Sequence, residues 1–215
     1  MKFKGILFDL DGVLVHTDKL HYCAWKKMAD AHGILFNETI NNQLRGVSRM
    51  ESLEIILQNY HGPALSQEEK EALAEEKNHY YKEELKSMTP DDVTAEVRET
   101  LAAIKAAGIK VAIASSSKNT KFILKQVGFD NVFDAVSDGT NITKSKPDPE
   151  VFLKAAEYIA LQPQDCLVVE DAVAGIEAAK RGGMKAAGIG DAAFCDKTDY
   201  PITTFADLKD IVLSY

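Results

Sequence analysis

Two aspartates two residues apart, Asp9 and Asp11, sit in the run ILFDLDGVLV at 6–15, and a second acidic pair, Glu170 and Asp171, follows the run CLVV at 166–169. Ser115, Ser116 and Ser117 come directly after IKVAIA, with Lys118 and Asn119 behind them, and Lys146 stands just ahead of a proline. Carboxylates, hydroxyls and a lysine are the groups of a divalent metal plus phosphate site. Mg²⁺ takes hard oxygen ligands and keeps several places for water and phosphate oxygens, so one or two carboxylates such as Asp9 and Asp171 suffice. A phosphoryl group brings negative charge, which Lys146 and the hydroxyl and amide groups of Ser115 and Ser116 can neutralise. One carboxylate could attack phosphorus to give an aspartyl phosphate. A second, two residues on, could give a proton to the leaving oxygen and recover it from the next acceptor.

Each piece alone has an ordinary structural use. Asp11-Gly12 between apolar runs reads as a hairpin turn that would pair Leu10 with Val13 and Phe8 with Val15. The serine run could cap a helix, Glu170 and Asp171 could open one, and Lys146 could be a solvated loop lysine. The elements that would carry these residues decide between the readings. From about 95 onward helical and strand patterns alternate: VRETLAAIKAAG, IKVAIA, NTKFILKQVG, FDAVS, PEVFLKAAEYIAL, CLVVE, AVAGIEAAKRGG, AAGIG. Such alternation specifies βαβ units and a parallel sheet, and the continuous apolar runs are those of strands covered on both faces. KGILFDL has the same character but precedes a stretch from about 18 to 88 that reads entirely as helix. Its last helix opens with Ser66 and Glu69 in capping-box spacing. The expectation is an α/β chain with a doubly wound parallel sheet: residues 1–15 and 88–215 form the core domain, and residues 16–87 an inserted α-helical cap. Ligands of open parallel sheets bind beyond the carboxyl ends of the strands, where all the chemical residues above fall.

Composition limits the partners. Acidic residues outnumber basic ones 33 to 25, a net charge of −8 that disfavours nucleic acid and anionic membranes. The three cysteines, Cys23, Cys166 and Cys195, are widely spaced with no C-x-x-C, so neither a disulfide framework nor a zinc site is expected. No apolar run approaches membrane-spanning length and the first residues lead straight into a strand-like segment, so a soluble, cytoplasmic protein is expected, as a monomer.

DLDGVL at 9–14, the hydroxyl-bearing loop at 115–117, KPDPEVF at 146–152 and VVEDAVAGIEAAKRGG at 168–183 resemble the four motifs of the haloacid dehalogenase-like phosphotransferase superfamily. The inserted helices resemble its type-I cap. Within the superfamily, Thr17, His21, Trp25, RGVSRMES at 45–52, Lys77 with Asn78 and SSSKN at 115–119 resemble a group of mutases that interconvert the 1- and 6-phosphates of β-glucose. The resemblance implies Asp9 as nucleophile and Asp11 as general acid and base. It implies Mg²⁺ held by the Asp9 carboxylate, the Asp11 carbonyl and Asp171, with Glu170 close by, and Ser115 and Lys146 on the transferring phosphate. Arg49, Ser117, Lys118 and Asn119 would hold the other phosphate of a sugar bisphosphate, and Ser116 is counted among the substrate-binding residues. Thr17, His21, Trp25, Lys77 and the loop of Arg45, Gly46, Val47, Ser48, Arg49 and Ser52 would serve closure and the sugar. This sequence has Arg45 where relatives carry lysine, and Ala95-Glu96 in place of Pro-Gly, which lets a helix begin at 95.

Two other activities use similar parts. A sugar-phosphate phosphatase shares the first half-reaction and passes the phosphoryl group to water. A receiver-type signalling domain also combines aspartate, Mg²⁺, a hydroxyl and a lysine, but its phosphorylated aspartate follows a middle strand and it has no helical insert.

Overall fold

The apolar runs pair as six parallel strands in a computed structural model that describes residues 3–44 and 48–213. They are β1 (Gly5–Phe8), β2 (Lys110–Ala114), β3 (Ala135–Ser137), β4 (Cys166–Glu170), β5 (Lys185–Gly188) and β6 (Tyr200–Pro201), in the order β3-β2-β1-β4-β5-β6. β1 lies at the centre, Phe8 pairing with Ile113 on one side and Val169 on the other. This pairing excludes the hairpin that Asp11-Gly12 suggests, because Phe8 is already bonded on both edges. The chain still turns there: the Gly12 amide donates to the Val15 carbonyl at 2.7 Å, and the Leu14 and Val15 amides donate to the Leu10 carbonyl. Two compact units result, Met1–His16 with Thr89–Tyr215, and Thr17–Met88.

The second unit is helical. It contains α1 (Asp18–Ala31), the single turn α2 (Glu38–Asn41), α3 (Arg49–Leu57) and α4 (Gln67–Leu85). Ser48 and Ser66 each accept the amide three residues on, and Glu51 and Glu69 return the bond to the cap amide, so α3 and α4 both open with capping boxes. Trp25, Met28, Phe36, Leu53, Ile56 and Leu73 form its core.

In the sheet unit, α5 (Ala95–Ala106) starts at Ala95, where Thr94 caps it by accepting the Val97 amide. Then follow α6 (Thr120–Gln126), α7 (Glu150–Tyr158), α8 (Val173–Arg181) and α9 (Leu208–Leu213). One sheet face, with Leu7, Ala112, Val168 and Ala186, packs on Phe152 and Ala155 of α7 and Ile176 and Ala179 of α8. On the other face Phe8 stacks on Phe205 with ring centroids 5.6 Å apart. Burial of both faces explains the unbroken apolar strands. β6 has two residues, too short for any alternation to register, and the sequence pattern passes over it. The three cysteines are free thiols. Among the described residues no helix is long and apolar enough to cross a membrane.

Candidate active site

Strand register gathers the first set of residues. Asp9 directly follows Phe8, and its amide continues the ladder by donating to the Val169 carbonyl at 3.0 Å. Ser115 follows β2 on one side of β1, its amide bonded to the Ser137 carbonyl, while Glu170 ends β4 on the other side with Asp171 next in the chain. Lys146 arrives from the loop between β3 and α7. Its Nζ lies 2.5 Å from Asp9 Oδ1 and also pairs with Glu170. These side chains are almost dry, at 10% exposed for Lys146 and Asp9 and 1% for Glu170, so an unpaired charge here would carry a large desolvation cost. Burial works against the Lys146 ammonium, yet Asp9 and then Glu170 outweigh it and hold its pKa above the usual lysine range. Burial pushes the Glu170 carboxyl the other way, up, against the pull of Lys146. Glu170 Oε2 also accepts the Asp171 and Ala172 amides, which fixes the acidic turn itself.

Asp9, Glu170 and Asp171 each offer a carboxylate oxygen within 4.8 Å of the others. Three hard oxygen donors gathered this closely are of the ligand type that Mg²⁺ takes. The backbone is shaped around them. Gly12 has φ +84, and a Cβ there would stand 2.1 Å from Asp171 Oδ2. A Cβ on Gly175 would fall 1.9 Å from Glu170 Cδ. Only glycine leaves room at either place. Asp11, two residues beyond Asp9, is half-buried.

The loop after β2 folds on its own hydroxyls. Ser115 Oγ accepts the Ser117 amide at 3.1 Å, Ser117 Oγ accepts the Asn119 amide at 3.2 Å, and the Ser117 carbonyl accepts the Gly139 amide. Ser115 and Asn119 are buried and Lys118 is exposed. Ser116 Oγ is buried with no hydrogen-bond partner among the described residues.

The helical unit holds a second cluster. Lys77, 3% exposed, places Nζ 2.9 Å from His21 Nδ1, 4.8 Å from the Trp25 ring centroid and 4.6 Å from that of Tyr81. His21 stacks on Tyr81 at 4.0 Å. Burial, then the charges of Lys77 and Arg49, drive the His21 pKa well below the ordinary histidine value, so the ring is neutral and Nδ1 accepts from the ammonium. Arg49 donates to Asn78 Oδ1 at 3.0 Å and pairs with Glu75 at 3.4 Å. Thr17 and Ser52 are buried, Ser48 is the cap of α3, and Trp25 is part of the packed core of its unit. Arg45, Gly46 and Val47 lie outside the described residues.

Three residues around the sheet cluster have a part in it that the sequence reading did not assign. Gly175 makes space for Glu170. Asp138 is buried beside the serine loop, with Oδ1 accepting the Thr140 amide. Glu150 accepts amides from the Lys146 loop. Glu150 lies within KPDPEVF and at a helix start, but neither signal reveals that the acceptor serves another segment.

Comparison with known proteins agrees with this geometry. A family model described as haloacid dehalogenase-like hydrolase matches residues 3–183. A β-phosphoglucomutase of Bacillus subtilis is 40% identical over 190 residues, 87% of this chain and 83% of that protein. A phosphorylated carbohydrates phosphatase of Thermotoga maritima is 30% identical over 184 residues, 85% of this chain and 82% of the other. The crystal structure of a β-phosphoglucomutase from Clostridium difficile matches with a TM-score of 0.88 at 35% identity, covering 98% of this chain and 95% of that one. With its parallel sheet, its acidic strand ends and a family match across most of its length, the chain belongs to the haloacid dehalogenase-like hydrolase family.

Proposed function

We propose that this enzyme is a β-phosphoglucomutase, interconverting β-D-glucose 1-phosphate and β-D-glucose 6-phosphate. The observation that carries phosphoryl transfer is the buried Asp9 carboxylate with the Lys146 ammonium 2.5 Å from Oδ1 and Asp171 beside it. An Asp9 oxygen attacks phosphorus, the bond from phosphorus to the sugar oxygen breaks, and Asp11 supplies the proton that the leaving oxygen needs. In the forward cycle phospho-Asp9 gives its group to the C6 hydroxyl of β-glucose 1-phosphate, whose proton passes to Asp11. The resulting β-glucose 1,6-bisphosphate turns round and returns its C1 phosphoryl group to Asp9, and glucose 6-phosphate leaves. Ser115 and Lys146 hold the moving group, whose charge spreads over its equatorial oxygens. The Asp9 carboxylate, the Asp11 carbonyl and Asp171, with Glu170 close by, would hold Mg²⁺, whose positive charge would stabilise the phosphoryl group.

A mutase must bind two phosphates where a phosphatase needs one. Support for the mutase comes from the cations Arg49 and Lys77, the Ser117 to Asn119 loop and the 40% identity to the Bacillus subtilis enzyme. The Thermotoga maritima relative supports the second reading, a Mg²⁺-dependent sugar-phosphate phosphatase. Incubation with β-glucose 1-phosphate, Mg²⁺ and a trace of the bisphosphate separates them. Glucose 6-phosphate should accumulate well ahead of inorganic phosphate; dominant release of inorganic phosphate would establish the phosphatase instead.

A further inference from the structure

The segment that carries Lys146 is held in place by groups outside the reaction just described. Glu150, the first residue of α7, turns its carboxylate back over that segment. Its Oε2 accepts the Thr143 amide at 2.8 Å, the Thr143 hydroxyl at 2.9 Å and the Lys144 amide at 2.8 Å, while Oε1 pairs with Lys154 at 2.9 Å. Further bonds continue the restraint on the other side of Lys146. The Asp148 amide donates to the Ser145 carbonyl at 3.0 Å, and Arg181 Nη1 donates to the Pro147 carbonyl at 3.3 Å.

An acidic residue in a first turn that served only the helix dipole would need no particular partner. Glu150 spends one oxygen on three donors, and all three belong to a segment upstream of its helix. Bonds to an ionised acceptor are about twice as strong as neutral ones, so this is a firm attachment. The segment also has space to leave it. Its outer side borders an open hollow of about 400 Å³ lined by Thr143, Lys144, Asp148 and Lys154. The consequence bears on chemistry, because Lys146 starts two residues after Lys144 and must meet Asp9 and Glu170 together.

We propose that Glu150 is a positioning residue for phosphoryl transfer: by holding Thr143 and Lys144 it fixes the point from which Lys146 reaches the Asp9 carboxylate. This rests on the reading of Lys146 as the cation that holds the transferring phosphate.

A double-mutant cycle on the full chain with Mg²⁺ tests it, with kcat, KM and thermal midpoint measured for wild type, Glu150→Ala, Lys146→Ala and the double variant. Displacing a catalytic group by about 1 Å can cost on the order of 100-fold, so Glu150→Ala should lower kcat by roughly 10–100-fold. In the Lys146→Ala background the same replacement should change kcat less than about twofold, since the lysine it positions is gone. Glu150→Gln keeps an acceptor oxygen and should recover part of the loss, which also covers the case in which the alanine variant folds poorly. Equal losses in both backgrounds, or an unchanged kcat in Glu150→Ala, would overturn the proposal while leaving Lys146 in its role. Wild-type turnover by Lys146→Ala would remove the ground for both.

Discussion

Each unit of the chain buries a lysine, and the contacts described around the two differ in kind. In the sheet unit Lys146 lies between the carboxylates of Asp9 and Glu170, so its charge is matched by charge. In the helical unit Lys77 donates to a neutral imidazole and lies over the faces of Trp25 and Tyr81. Ion pairing in a dry site is strong but exacts a large penalty when one member is lost, whereas lone pairs and ring faces hold a cation with weaker, more replaceable contacts. Under the proposed function the sheet unit would supply the bond-making groups, and Arg49 and Lys77 of the helical unit would serve the second phosphate.

The comparison breaks most visibly at Asp9. Asp9→Asn should abolish phosphoenzyme formation and lower transfer on the order of 10⁴-fold or more, measured by labelling and by turnover. Retained labelling would remove the nucleophile from the sheet unit. Lys146→Ala comes next. It should slow transfer about 10²–10³-fold, the range seen when one charge-stabilising group is deleted. Because it leaves Asp9 and Glu170 buried without their cation, it should also cost about 3–5 kcal/mol by chemical denaturation without added metal. Lys77→Ala should cost less stability than that; an equal loss would erase the contrast between the two lysines.

His21 sharpens the contrast through pH. Its folded pKa is lowered, so below pH 6.5 the unfolded chain binds a proton that the folded ring refuses. Stability from this group is therefore complete above pH 6.5 and falls as the pH drops toward the folded pKa, by up to about 1.4 kcal/mol per pH unit. His21→Asn should flatten that part of the profile. A profile identical to wild type would show that the imidazole is not held neutral. The smallest effect belongs to local structure: Ser66→Ala removes an acceptor of the capping box and should cost about 1 kcal/mol with no change in phosphoryl transfer.

The central strands were legible because burial on both faces leaves an unbroken apolar run, and Asp9, Ser115, Glu170 and Asp171 were legible as strand-end residues because each follows such a run. Lys146 required the motif around it, since a lysine before a proline in a loop carries no periodic signal. β6 was too short to register, and the turn at Asp11-Gly12 was right as a turn but wrong as a hairpin locally, because Phe8 is paired on both edges by segments distant in the chain. Glu150 was hidden for a different reason. Its partners are two amides and a threonine hydroxyl, and amides are present at nearly every position of any sequence. Trp25 and Met28 share a face of α1 through their spacing of three, whereas their packing with Leu53 of α3 needs the tertiary structure.

The central position of β1 also has a consequence for how the chain is made. Gly5 leaves the ribosome before both of its partners, and Lys110 and Cys166 follow much later. At about 5–20 residues per second, the middle strand waits roughly 10–30 s before both neighbours exist. The contiguous helical unit, complete by Met88, can fold during that interval. The nascent strand GILF has no mate until Lys110 emerges and one open edge until Cys166 does, and that period is when a chaperone would have most to protect.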